Sequence, residues 1–222
     1  MFIFPKFSNI QKVTARERII FSCTGCGACC KNVRDSLLLT PLDAYRLINF
    51  LQKEGVKVQP METLESIAEL KELTRGFCVY VLKTANNGVC TFLQDNRCAV
   101  YAARPFTCRI YPFSPKFKAD GSADWELCLE QSHHFRGGHV TAREWQRRFL
   151  QEEDIHFFRE EDKRIPLIGE LLHEIPEARL REAEVLTLSF YYFANDFSEP
   201  FLPQFQDNMA FLSAKLKELK ED

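Results

Sequence analysis

Apolar and polar positions along the chain predict a mixed fold of class α+β, mainly α. Thr40-Pro41-Leu42-Asp43 offers a capping hydroxyl, a proline at the first helical position and a carboxylate three residues on that can answer the cap. A helix is expected from there to about Gly55. Leu64, Ile67, Leu70 or Lys71, and Leu73 recur at three- and four-residue steps, which predicts a second helix over about 60–73 with one apolar stripe. Phe77 to Leu82 is rich in β-branched and aromatic residues, and Asn86-Asn87-Gly88 supplies turn residues before Val89-Cys90-Thr91-Phe92-Leu93. That pattern predicts a short β-hairpin. Thr141-Ala142-Arg143-Glu144 is a second capping box, expected to open a helix of about 20 residues through Lys163. Pro166, Pro176, Pro200 and Pro203 then punctuate further helices at about 177–194 and 204–220.

Composition narrows the function classes. The 222 residues carry 29 Lys and Arg against 31 Asp and Glu, a net charge of −2 that argues against a generally basic nucleic-acid binder. Lys6, Lys12, Arg16, Arg18, Lys31 and Arg34 make a modest positive region without interleaved stacking aromatics. Residues 141–222 hold 11 basic and 18 acidic groups, so the tail is acidic. The nearly apolar stretch from Val185 to Ala194 is too short to cross a bilayer, which takes ~20 residues. The opening Met-Phe-Ile-Phe-Pro lacks the features of an export signal, so a cytoplasmic protein is expected. No GxGxxG, GxxxxGK[ST], HExxH or GxSxG motif supports nucleotide, zinc-protease or serine-hydrolase chemistry.

Nine cysteines all fall between Cys23 and Cys128. A reducing compartment disfavours disulfides, and clustered thiols there more often hold metal. Cys23-Thr24-Gly25-Cys26-Gly27-Ala28-Cys29-Cys30 places four thiols within eight residues. A two-residue gap folds into a knuckle whose side chains converge on one ion, and the glycines relieve strain and expose N–H groups to sulfur. Adjacent Cys29 and Cys30 point apart on extended backbone, so they serve two sites or leave one thiol in support. Cys90, Cys98, Cys108 and Cys128 follow, and Cys78, on an apolar strand, is read as packing. Eight thiols suit two four-cysteine zinc sites or clusters, or one [4Fe–4S] cluster with four structural thiols.

The run from Cys23 to Cys30, Cys90-Thr91-Phe92-Leu93, Cys98-Ala99-Val100-Tyr101, Arg104-Pro105, Cys108-Arg109, Tyr111-Pro112-Phe113 and Cys128 together resemble the CxxCxxCC cysteine-cluster family of zinc- or iron-chelating proteins. The resemblance spans Phe21 to Cys128 and implies metal binding. Flagellin lysine methylases look similar around their cysteines but are larger proteins.

The reading that results is a metal-binding region over residues 1–140, irregular and cysteine-rich with a short hairpin, and a helical region over 141–222 packed on it. Cys23, Cys26, Cys29, Cys30, Cys90, Cys98, Cys108 and Cys128 form the expected ligand set. Arg104 and Arg109 are the candidate cofactor-binding residues, because a four-thiolate centre leaves a negative charge that guanidinium groups offset. Tyr101 and Tyr111 are expected to wall off the site. Eight thiols with arginines and aromatics around them fit a shielded iron–sulfur centre, [4Fe–4S], better than a zinc ribbon; zinc is the alternative, serving a structural scaffold. A cluster-dependent redox or group-transfer enzyme is the other class kept open, and the helical tail is the expected surface for a protein partner. His133, His134 and His139 are read as loop residues that could supply a ligand. The two Glu-x-x-His spacings, Glu153 to His156 and Glu170 to His173, are read as coincidence in a glutamate-rich tail.

Overall fold

A computed structural model describes residues 9–31, 33, 36–85 and 87–221. Helices make up 50% of the structure and strands 19%, so the mainly helical α+β class holds. The chain begins with two short strands, β1 (Ile10–Val13) and β2 (Ile19–Ile20), and the cysteine knuckle follows directly. Thr40 and Asp43 exchange cap hydrogen bonds and open helix α1 (Pro41–Lys53), as their spacing predicts.

The second predicted helix is half right. Helix α2 (Pro60–Ile67) stops early, and the chain passes straight into strand β4 (Ala68–Thr74). β4 pairs antiparallel with β5 (Phe77–Leu82), whose other edge takes β3 (Leu38–Leu39). The step from Leu64 to Ile67 is helical, but Leu70 is exposed on a strand whose backbone bonds go to β5. The hairpin therefore turns at Arg75-Gly76 rather than after Leu82. Where the hairpin was expected only the bridge Thr84–Cys90 forms, and Asn86 lies outside the described residues.

Further on, β6 (Leu93–Gln94) and β7 (Arg97–Cys98) make a tight hairpin, with Asp95 and Asn96 both at positive φ as a type I′ turn requires. A short helix α3 (Phe106–Ile110) precedes β8 (Phe113–Phe117) and β9 (Ala123–Cys128), and these two complete a three-stranded sheet in the order β1-β9-β8. β10 (His139–Val140) pairs with β2.

Thr141 and Glu144 form the second capping box, at the head of α4 (Ala142–Phe149). The single long helix predicted through Lys163 is instead two, because a further box, Gln151 with Asp154, starts α5 (Glu152–Glu174). Pro166 sits inside α5 rather than ending it. Helices α6 (Glu177–Leu188) and α7 (Phe201–Glu221) follow, separated by a π-helical turn over Ser189–Phe193. Phe157 of α5 meets Phe201 and Phe205 of α7, while Phe158 stacks on Phe117 of β8. The Tyr192 hydroxyl donates to the Leu39 carbonyl and accepts from the Tyr80 N–H, so the tail is tied to the sheet that carries β5. One continuous apolar core runs from Val13 to Leu219.

Candidate metal centre

Backbone hydrogen bonds explain how distant cysteines meet. The Cys90 N–H donates to the Cys30 carbonyl at 2.9 Å, and the Val33 N–H to the Gly88 carbonyl, so the knuckle lies along the segment before β6. Gly27, at φ +69°, lets the knuckle press on the β6–β7 hairpin: a Cβ there would stand 3.0 Å from the Asn96 carbonyl oxygen and from Leu93 Cδ1. Cys98 ends that hairpin. The α3 turn brings Cys108 to the same place, anchored by the Phe106 N–H donating to Asp43 Oδ1 at 2.7 Å.

These segments enclose a cavity of about 410 Å³ lined by Cys23, Cys29, Cys30, Cys90, Cys98 and Cys108. Apolar side chains form much of its wall, among them Val33, Leu37, Leu82 and Phe92, with Tyr101 and Tyr111 also facing it as expected and Asn96, Arg97, Glu130 and Gln131 adding polar groups. Cys30, Cys90 and Cys98 lie close enough to Cys108 that a negative charge on any of the three raises its pKa. Burial is the largest cause, and with the neighbouring thiols it pushes Cys90 to about 11 and raises Cys98 and Cys108 as well. Cys29 and Cys30 face each other at 4.0 Å; their hydrogen bond lowers Cys29 and raises Cys30. A metal that takes these thiols as thiolates must displace their protons, so binding weakens as pH falls.

The two arginines separate. Arg104 lines the cavity, its guanidinium 3.6 Å over the Tyr101 ring, and its charge favours the thiolate forms of Cys30 and Cys98. Arg109 turns away and grips Asp154 with a two-bonded fork of 2.7 and 2.9 Å, while its Nε donates to the Arg104 carbonyl. Its reach toward the cavity is through that carbonyl, as a positioning residue for Arg104. At Asp154, burial raises the carboxyl pKa, but the Arg109 fork and the Arg46 charge outweigh it and hold the group below the usual range.

Cys128 and Cys26 are outside the cavity lining. Cys128 is buried in β9 against Ile10, with Tyr111 beside it. Cys78 sits in β5 among Glu72, Glu184 and Arg181, also apart from the cavity. The two Glu-x-x-His pairs both lie on α5, where His156, Glu170 and His173 are exposed and Glu153 binds Arg46.

Cys26 meets other partners, although its charge still reaches Cys29 and Cys30. Its Sγ lies 3.3 Å from Nε2 of His133 and 3.3 Å from Nε2 of His134. The His133 hydrogen bond, the largest influence, holds this thiol down to about 6. The pairing of β2 with β10 brings these residues together: Phe21 N–H donates to the Gly138 carbonyl and Ser22 N–H to the His134 carbonyl. In the sequence, His133 and His134 stand 107 and 108 residues from Cys26, and only their place soon after Cys128 hints at the site.

Among the described residues no helix is long and apolar enough to cross a membrane. Residues 22–135, just over half of the chain, match the family model CxxCxxCC, described as a putative zinc- or iron-chelating domain. No curated protein and no solved structure matches the chain.

Proposed function

From the chain's membership of the CxxCxxCC family of zinc- or iron-chelating domains, we propose that its thiol-lined cavity holds an iron–sulfur cluster, [4Fe–4S], in a cytoplasmic protein. Cys30, Cys90, Cys98 and Cys108 are the four ligands, with Cys23 and Cys29 at the rim.

The observation that carries this reading is the breadth of the thiol array. Around a single zinc ion, with Zn–S bonds near 2.3 Å, four sulfurs stand about 3.8 Å apart. Among the described residues no three cavity thiols come within 4.8 Å of one another, although six of them face one space. A cluster with four separate irons takes thiolates set farther apart, and the apolar part of the wall would lie against its sulfides. When bound, such a cluster supplies one-electron transfer. The chain's own residues then hold it, offset its charge through Arg104, and shield it with Tyr101, Tyr111 and Phe92.

A second reading, a cluster-dependent redox or group-transfer enzyme, is favoured by the cavity's size, which falls in the range of small-molecule pockets.

Anaerobic purification followed by metal analysis, labile-sulfide assay and a visible spectrum tests the proposal. Brown protein with iron and sulfide is expected, and Cys108→Ser or Cys90→Ser should lose both. Colourless protein carrying stoichiometric zinc in the cavity sinks the cluster and leaves the zinc scaffold.

A further inference from the structure

We propose that Cys26, His133 and His134 form a second, separate metal site that takes one zinc-class divalent ion. The three donor atoms all lie within 4.8 Å of one another, and no further Cys, His, Asp or Glu among the described residues joins them. Both sulfur–nitrogen distances are 3.3 Å, close to the edge of about 3.5 Å expected between a thiolate and an imidazole on one tetrahedral zinc ion.

The His134 ring is held in place before any ion arrives. His134 is 2% exposed, and Phe21 packs edge-on against it at 5.8 Å. Its Nδ1 is buried with no hydrogen-bond partner among the described residues, while its Nε2 faces Cys26 and lies 3.5 Å from the Thr24 hydroxyl. The His133 ring sits 4.1 Å from it, centroid to centroid, and is exposed. A core histidine kept for packing alone would not need a second imidazole and a thiol converging on its nitrogen.

One thiolate with two neutral imidazoles suits zinc, where oxygen-loving ions such as magnesium would find no ligand. Three protein donors leave a fourth position open to solvent, the pattern of zinc sites that bind water. Cys26 is absent from the cavity lining that Cys23, Cys29 and Cys30 share, so the knuckle would serve two adjacent centres. This inference goes beyond the cluster reading and stands without it.

The test uses the full chain, reduced, stripped by chelator and titrated anaerobically with Co²⁺, whose ligand-field and thiolate charge-transfer bands report coordination. Wild type should take up one equivalent more than His133→Ala, an exposed substitution that leaves the core intact. The difference spectrum should be that of a four-coordinate ion with one thiolate, and Cys26→Ser should lose its charge-transfer band. Cys108→Ser, in the cavity, should keep the His133-dependent equivalent. Equal uptake and equal bands in wild type, His133→Ala and Cys26→Ser would overturn the proposal. So would loss of the His133-dependent equivalent in Cys108→Ser, since the donors would then belong to one shared centre. Retention of iron and sulfide by Cys108→Ser would count against the cluster reading alone.

Discussion

Glu161 is a carboxyl that the sequence does not mark. It lies in α5 at 3% exposure and accepts a hydrogen bond from the Tyr191 hydroxyl. Burial raises its pKa from 4.5 to about 8, so the folded chain holds a proton there that the unfolded chain loses above its ordinary value. The stabilisation is full below pH 4.5 and is lost as pH rises through about 8. Melting curves from pH 5 to pH 9 should show wild type losing stability, by an amount on the order of a few kcal/mol, relative to Glu161→Gln. An identical pH slope in the two proteins would refute the assignment. Asp154 shows the opposite behaviour, because Arg109 and Arg46 surround it. Arg109 was legible as a charge beside Cys108, but its target was not. The carboxylate that captures its guanidinium lies 45 residues away.

Elements built from local signals matched the sequence well. Thr40 with Asp43 and Thr141 with Glu144 start their helices because a cap needs only residues three apart. Leu64 to Leu73 misled because apolar spacing alone does not register a partner strand, and β5 draws residues 68–74 into a sheet. Gly25 and Gly27 illustrate the same division. Both have positive φ, at 66° and 69°, but a Cβ on Gly25 meets nothing within 4 Å, whereas one on Gly27 strikes the β6–β7 hairpin. Gly25→Ala should cost roughly 1–2 kcal/mol through the backbone alone. Gly27→Ala should cost more, and lower the metal content of the purified protein as the knuckle is forced off Cys98. Thermal melts and metal analysis of the two variants make the comparison, and equal effects would show that the hairpin contact does not matter.

At the scale of the whole molecule, the cysteine region and the helices share one core but not one source of order. The segments around the cavity are knuckle, bridge and two-residue strands, whereas α5 and α7 bury Phe157, Phe201, Phe205, Met209 and Leu212. Metal removal should therefore act regionally. In the reduced, chelated chain, amides over residues 23–33 and 88–108 should lose hydrogen-exchange protection while α5 and α7 retain it. Uniform change, or none, would contradict a metal that orders the cysteine region. Composition and spacing alone determined that this is a mainly helical chain with a metal-chelating cysteine cluster, since a four-thiol knuckle and helix caps are written over a few consecutive residues. Only tertiary structure decided which thiols share a cavity, that Arg104 faces it while Arg109 binds Asp154, and that Cys26 meets two histidines. Those meetings depend on strand pairing and burial between residues far apart in the chain, and no local pattern encodes the register in which β2 finds β10.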